Sequence, residues 1–136
     1  MSGVTDQRPE VVAVDFDGTI VKHRYPVVGA PVKGALDFMK ELQAEGVKLI
    51  LWTMRSGREL QDAIDYCRQN GVTFYAHNVN PTQRSWTHSP KAYAQLYIDD
   101  AALGCPLSKK NGERPWVNWA KVKKNYRERW PALESA

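Results

Sequence analysis

Val12-Ala13-Val14-Asp15-Phe16-Asp17-Gly18-Thr19-Ile20 is an apolar run that ends in two acids two residues apart, followed by Gly-Thr. Val11 to Val14, β-branched and continuous, reads as a buried strand. In extended backbone, residues i and i+2 point to the same side. Asp15 and Asp17 therefore face one small volume at the strand's carboxyl end. Open α/β sheets bind their ligands at that end. Two carboxylates this close repel unless a cation joins them or one holds a proton. A hard cation with oxygen ligands, Mg²⁺ above all, suits them. Gly18 lets the backbone turn sharply after the acids.

Beyond this stretch, strands and helices alternate. Lys22 to Pro31 reads as a loop. Val32 to Glu45 reads as a helix, with Val32, Ala35, Leu36, Met39 and Leu42 on one face and Gly46 at its carboxyl end. Val47 to Trp52 is a second strand, and Thr53 stands at its carboxyl end. Ser56-Gly57 opens a second helix with the stripe Leu60, Ala63, Ile64 and Cys67, closed by Asn70-Gly71. Val72 to Ala76 is a third strand, His77 to Pro90 is irregular, and Ala94 to Ile98 is a fourth strand ending in Asp99-Asp100. Ala101 to Gly112 is loop-like, with a short edge strand at Cys105 to Leu107. Pro115 to Trp130 is expected as a last helix. The pattern predicts an α/β fold: one Rossmann-like domain over residues 1–136, with a mainly parallel sheet and helices on both faces. Polar tails at 1–9 and 131–136 flank it.

Three strands thus end in chemistry: Asp15 with Asp17, Thr53, and Asp99 with Asp100. Parallel strands bring their carboxyl ends to one rim, so residues far apart in sequence become neighbours. This set resembles the motifs of the haloacid-dehalogenase-like (HAD) phosphohydrolases, from Asp-x-Asp-Gly-Thr at residues 15–19 to the acidic pair at 99–100. The stretches Asp15 to Pro26, Ile50 to Arg55 and Leu96 to Asp100 look in particular like the small, capless members. The resemblance implies that Asp15 is the nucleophile and Asp17 the general acid/base, held protonated by neighbouring negative charge. It implies that Thr53 donates to a phosphoryl oxygen and that Lys91 offsets charge. It places Mg²⁺ among Asp15, the backbone carbonyl of Asp17, Asp99 and Asp100, the last directly or through water. Met54 joins Thr53 and Lys91 as a substrate contact. Arg24, Tyr25 and Arg55 lie near the expected rim, as substrate contacts or as packing. His23, His77 and His88 lack metal-ligand spacing and read as surface or packing residues. Neither Ile20 to Val32 nor His77 to Pro90 is long enough for a cap domain, so the site is expected to be open unless another subunit covers it.

The implied activity is Mg²⁺-dependent hydrolysis of a small phosphomonoester, such as a sugar phosphate. A nucleotide or polynucleotide-end phosphatase and a catalytically idle binding or scaffold module are the alternatives. A dehalogenase has no use for a general acid at Asp17. The net charge of +4 is concentrated in residues 109–136, which hold eight Lys/Arg against three Glu. A solvated helix face is favoured over a nucleic-acid surface there. Trp116, Trp119 and Trp130 in the expected last helix suggest a homo-oligomer. Cys67 and Cys105 are expected as reduced thiols. With no apolar leader and no membrane-length run, a cytoplasmic location is expected.

Overall fold

A computed structural model of the chain describes residues 7–133. Residues 1–6 of the first expected tail and 134–136 of the second lie outside the described residues. Val11–Val14 (β1) and Lys48–Leu51 (β2) are the centre of a four-stranded sheet, and Ala76–His77 (β3) and Leu96–Ile98 (β4) are its edges. The order is β3-β2-β1-β4 and every pairing is parallel, so the sheet is mainly parallel as the alternation requires. The chain steps from β1 to β2 and β3, then crosses back to lay β4 on the other side of β1. The direction of winding therefore switches between β1 and β4, and the crevice at such a switch is where α/β sheets bind ligands.

Register and alternation explain the two apolar layers. Val12 pairs with Leu49 and Leu96, and Val14 with Leu51 and Ile98, so these six share a face. That face meets Phe38, Met39 and Leu42 of Ala35–Ala44 (α1), Ala63 and Cys67 of Gly57–Gln69 (α2), and Trp119 and Tyr126 of Trp119–Arg129 (α3). The opposite face, with Val11, Ala13 and Ile50, packs on Ala92 and Ala94 and on the rings of Trp52 and Tyr97. Its covering segment contains the 3-10 helix Pro81–Ser85, held by the buried side chain of Gln83, which donates to the carbonyls of Ser89 and Lys91. The α-helices thus gather on one face, and the other is covered by a short 3-10 turn and extended chain.

Several boundaries move from the sequence reading. α1 begins at Ala35, after Gly34 takes a left-handed φ of 85°. The third strand is Ala76–His77 and not Val72 to Ala76, because Val72 turns into the core and Tyr75 N–H bonds to the Leu49 carbonyl before pairing begins. β2 and β4 are shorter than expected at both ends or at the start. The last helix starts at Trp119, not Pro115. Trp116–Val117 (β6) instead pairs antiparallel with Leu107–Ser108 (β5), and the Asn118 side chain caps the helix by accepting from Lys121 N–H.

The aromatic residues of this region are internal. Trp119 and Trp130 are buried, and Trp116 is half-buried under the Lys22 ammonium, 4.1 Å from its ring centre. Trp119 and Trp130 are part of the core, and Trp116 packs against it. The basic run is partly neutralised within the fold: Lys123 pairs with Glu41, and Arg127 with Glu41 and Glu45. Cys67 and Cys105 are free. Among the described residues no helix is long and apolar enough to cross a membrane.

Candidate active site

Asp15 leaves β1 with its N–H donated to the Ile98 carbonyl of β4 at 2.9 Å, so the first acid is tied to the strand that carries Asp99 and Asp100. The turn that follows is wound on the Phe16 carbonyl, which accepts from the N–H groups of Thr19, Ile20 and Val21. This brings Thr19 back beneath Asp15. Its hydroxyl donates to Asp15 Oδ2 at 2.8 Å and accepts from Asp100 N–H at 3.2 Å. Thr19 is fully buried, and its carbonyl accepts from the Trp119 indole at 2.7 Å. Sequence reasoning gave Thr19 no role. Its signal was position: in a tight turn, residue i+4 comes back under residue i. Gly18 sits at φ +81°, and a Cβ there would lie 2.1 Å from His23 Nε2 and 2.5 Å from Asp100 Oδ2. Both backbone and space require glycine.

Asp15, Asp99 and Asp100 offer carboxylate oxygens that all lie within 4.8 Å of one another. Burial first, and then the charge of Asp99, push the Asp15 carboxyl up to about 8 against the pull of the Thr19 hydrogen bond. Burial raises Asp99 too, with Asp100 adding to it and the Ala101 N–H at 2.9 Å opposing. This donor set fits Mg²⁺: hard carboxylate oxygens within mutual reach, with like charges that a cation would relieve. His23 completes the group. Its Nε2 is 2.9 Å from Asp100 Oδ2, so a residue expected at the surface or in packing instead orients a candidate ligand.

Asp17 has the opposite surroundings. Both its oxygens accept from Arg55, Oδ2 from Nε and Oδ1 from an amino group, each at 2.8 Å. Arg55 is 3% exposed, and its remaining hydrogen-bonding capacity goes to the carbonyls of Pro26, Val27 and Glu59. All the donor positions of the guanidinium are engaged. Its charge lies over the rings of Phe16 and Tyr25, and the bond to Asp17 drives its affinity for protons still higher. Two expectations are corrected. Arg55 is not a substrate contact but an internal clamp joining Asp17, the 22–31 loop and α2. Asp17 is not set among negative charges; its neighbour is a guanidinium, and its side chain stands outside the three-carboxylate cluster.

Thr53 follows β2 and is half-buried. Its N–H donates to Asn78 Oδ1 at 2.8 Å, and its hydroxyl oxygen accepts from Arg55 N–H at 3.1 Å. The hydroxyl proton remains available to a ligand. Thr53 does not cap α2; Ser56 holds that position. Asn78, which sequence reasoning passed over, takes φ 58° just after β3 and thereby aims its amide at Thr53. Met54 is 99% exposed. A cleft of about 390 Å³ opens between Thr53 and Asp99, walled by Trp52, Met54, Asn78 and Pro90.

Lys91 is exposed, with its ammonium over the Tyr97 ring 5.3 Å from the centre, and pairs with no carboxylate among the described residues. Arg24 is exposed on the 22–31 loop and likewise pairs with no acid among them. The structure therefore brings together Asp15, Asp99 and Asp100, sets Thr53 and Met54 on a cleft that reaches Asp99, and leaves Lys91 and Arg24 outside any ion pair among the described residues.

A solved structure described as the conserved protein coded by a locus of Bacteroides thetaiotaomicron is similar to this chain, with 36% identity and a TM-score of 0.74 over 96% of this chain and 100% of its own. No family model matches the chain, and no curated protein matches it.

Proposed function

The chain belongs to the family of that conserved Bacteroides protein, and we propose that it is a Mg²⁺-dependent phosphomonoester hydrolase of the HAD class. It acts on a small phosphorylated metabolite through an aspartyl-phosphate. The observation that carries the reading is the gathering of Asp15, Asp99 and Asp100 within 4.8 Å at the switch point of the sheet. Structural acids are seldom placed so that they repel one another; a site awaiting a cation and an anionic substrate accounts for the expense.

Asp15, Asp99 and Asp100 would hold the cation, which when bound neutralises the acids and draws in the phosphoryl oxygens. Thr19 fixes the Asp15 carboxylate by donating its hydroxyl proton to Oδ2. An Asp15 oxygen attacks phosphorus in line; its O–P bond forms as the bond to the leaving oxygen breaks. Thr53 donates its hydroxyl proton to a phosphoryl oxygen. Asp17 must turn from Arg55 and take up a proton from solvent before it passes that proton to the leaving oxygen; the carboxylate left behind then takes one from the water that cleaves the Asp15–phosphate bond. Lys91, beside the cleft wall, supplies a positive charge to the incoming phosphate.

The test is phosphate release from a panel of phosphorylated metabolites with Mg²⁺ and with excess chelator. Turnover only with Mg²⁺ is expected, as is a phosphoryl adduct on Asp15 that accumulates in Asp17→Asn and is lost on hydroxylamine treatment. Full turnover in chelator, or an adduct on another residue, overturns the mechanism. No hydrolysis of any substrate returns the chain to the scaffold reading.

A further inference from the structure

The cleft that begins at Thr53 and Asp99 has walls unlike the floor it leads from. Asp15, Asp99 and Asp100 offer carboxyl oxygens alone, yet three of the six residues lining the cleft are Trp52, Met54 and Pro90. Trp52 is half-buried and fixed edge-on to Tyr97, with ring centres 6.2 Å apart, so its indole is a rigid wall. Met54 is wholly exposed directly after Thr53 and makes an adaptable apolar lip. A sugar ring without a base offers such walls only the C–H groups of one face. A flat heteroaromatic ring uses them. Besides Thr53 and Asp99, one polar side chain lines it: Asn78 is anchored through Oδ1 to Thr53 N–H, and its amide NH₂ has no acceptor among the described residues. A pocket of apolar walls with one oriented donor is the usual construction for a flat ligand with an acceptor on its edge.

We propose that this cleft is a leaving-group subsite for a nucleobase, and that the substrate is a phosphomonoester of a nucleoside. The inference rests on the phosphatase reading for the position of the phosphate, but the subsite is argued from the cleft alone. Trp52 is a specificity-determining wall, Asn78 orients the ring edge, and the phosphate reaches Thr53 and the acids. The same chemistry comes from a free nucleotide or from the phosphorylated end of a polynucleotide.

Adenosine 5′-monophosphate and ribose 5-phosphate share the phosphate and the leaving oxygen and differ only in the base. The wild-type protein with Mg²⁺ is expected to show kcat/KM about tenfold or more higher for the nucleotide, the effect of one stacked base. Trp52→Leu should shrink that ratio towards one, and Trp52→Phe, which keeps a ring, should retain most of it. A wild-type ratio near one, or a ratio unmoved in Trp52→Leu, overturns the proposal while leaving the phosphatase reading intact. Calorimetry of the two compounds on Mg²⁺-loaded Asp15→Asn reads the subsite without turnover. If nothing is hydrolysed but the nucleotide binds about tenfold tighter, the subsite stands and the hydrolase reading fails; equal or absent binding sinks the subsite. A 5′-phosphorylated oligonucleotide turned over faster than the mononucleotide assigns the cleft to chain ends, and slower turnover assigns it to free nucleotides.

Discussion

Asp15 and Asp17 stand two residues apart in one turn and live in opposite electrostatic worlds. Asp15 is half-buried among Asp99 and Asp100, with only the Thr19 hydroxyl in its favour, and its carboxyl is pushed up to about 8. Asp17 faces a buried guanidinium that meets both its oxygens. Equal spacing in sequence therefore did not give equal chemistry. The strand end aims both acids forward, but which charge each one meets is decided by chains arriving from far away: β4 for Asp15, and the first turn after β2 for Asp17. One acid lacks a counter-charge and the other already has one built into the fold.

Breaking the first side of the comparison should give the largest effect. Asp15→Asn removes the attacking oxygen, and turnover should fall on the order of 10⁶-fold, as loss of a nucleophile does. The same change removes a charge from a like-charged cluster, so the metal-free variant should melt above the metal-free wild type at pH 8. Calorimetric scanning beside a phosphate-release assay reads both. A variant that loses activity and also melts lower would mean that Asp15 is held by more than Thr19.

The second side should break as stability. Arg55→Ala leaves Asp17 without its partner and removes donors from the carbonyls of Pro26, Val27 and Glu59. Removing one member of a buried pair typically costs about 3–5 kcal/mol, and the low end, about 3 kcal/mol, applies because water reaches Asp17. Urea unfolding measures it. Loss below about 1 kcal/mol would show that the loop and α2 are held independently of Arg55.

That clamp also marks where reading the sequence stops. β1, the stripe of α1 and α2, and the three strand ends that carry Asp15, Thr53 and Asp99 were legible, because period-2 and period-3.6 burial are local properties of the chain. Arg55 was not: after Thr53-Met54 an arginine looks like a rim residue, and only the packed 22–31 loop supplies the carbonyls that draw it in. His23 and Thr19 were missed for the same reason, since their partner Asp100 is recruited by β4 pairing. The last helix began late because Trp116 and Val117 found strand partners at Leu107 and Ser108, bonds that no helical periodicity reveals.

A pH-dependent effect belongs to the Asp15 side of the comparison. The Asp15 carboxyl is raised in the metal-free fold, so the native state holds its proton more tightly than the unfolded chain does. The resulting stabilisation is complete below the ordinary carboxylate range near pH 4 and is lost as pH rises through about 8. Metal-free protein should therefore lose unfolding free energy across that window, and Asp15→Asn should not lose this share. Saturating Mg²⁺ binds the ionised form and should flatten or reverse the slope. Urea midpoints from pH 4 to 9, with Mg²⁺ and with chelator, test it. A wild-type slope that is the same in Asp15→Asn would assign the pH dependence to other groups.

The smallest expected effect concerns His23, which acts on the cluster through Asp100. Its Nε2 lies 2.9 Å from Asp100 Oδ2, and the approach is possible because Gly18 has no side chain. Both side chains are mostly buried, at 16% and 17% exposure, so the hydrogen bond is not exchanged freely for water. By holding Asp100 Oδ2, His23 fixes the rotation of the carboxylate that stands beside Asp15 and Asp99. Partners that orient a metal ligand are typically worth about 10- to 100-fold in metal affinity. The low end applies here, because the Thr19 hydroxyl already positions Asp100 through its backbone N–H. His23→Ala should weaken Mg²⁺ binding about tenfold by calorimetry. His23→Gln, whose amide nitrogen can occupy nearly the place of Nε2, should recover most of it. If His23 merely filled space above Gly18, the two variants would bind Mg²⁺ alike and differ only in stability. If Asp100 took no part in holding the ion, neither variant would shift the affinity at all. Rescue by Gln but not Ala is the pattern that a hydrogen bond, and not packing, produces.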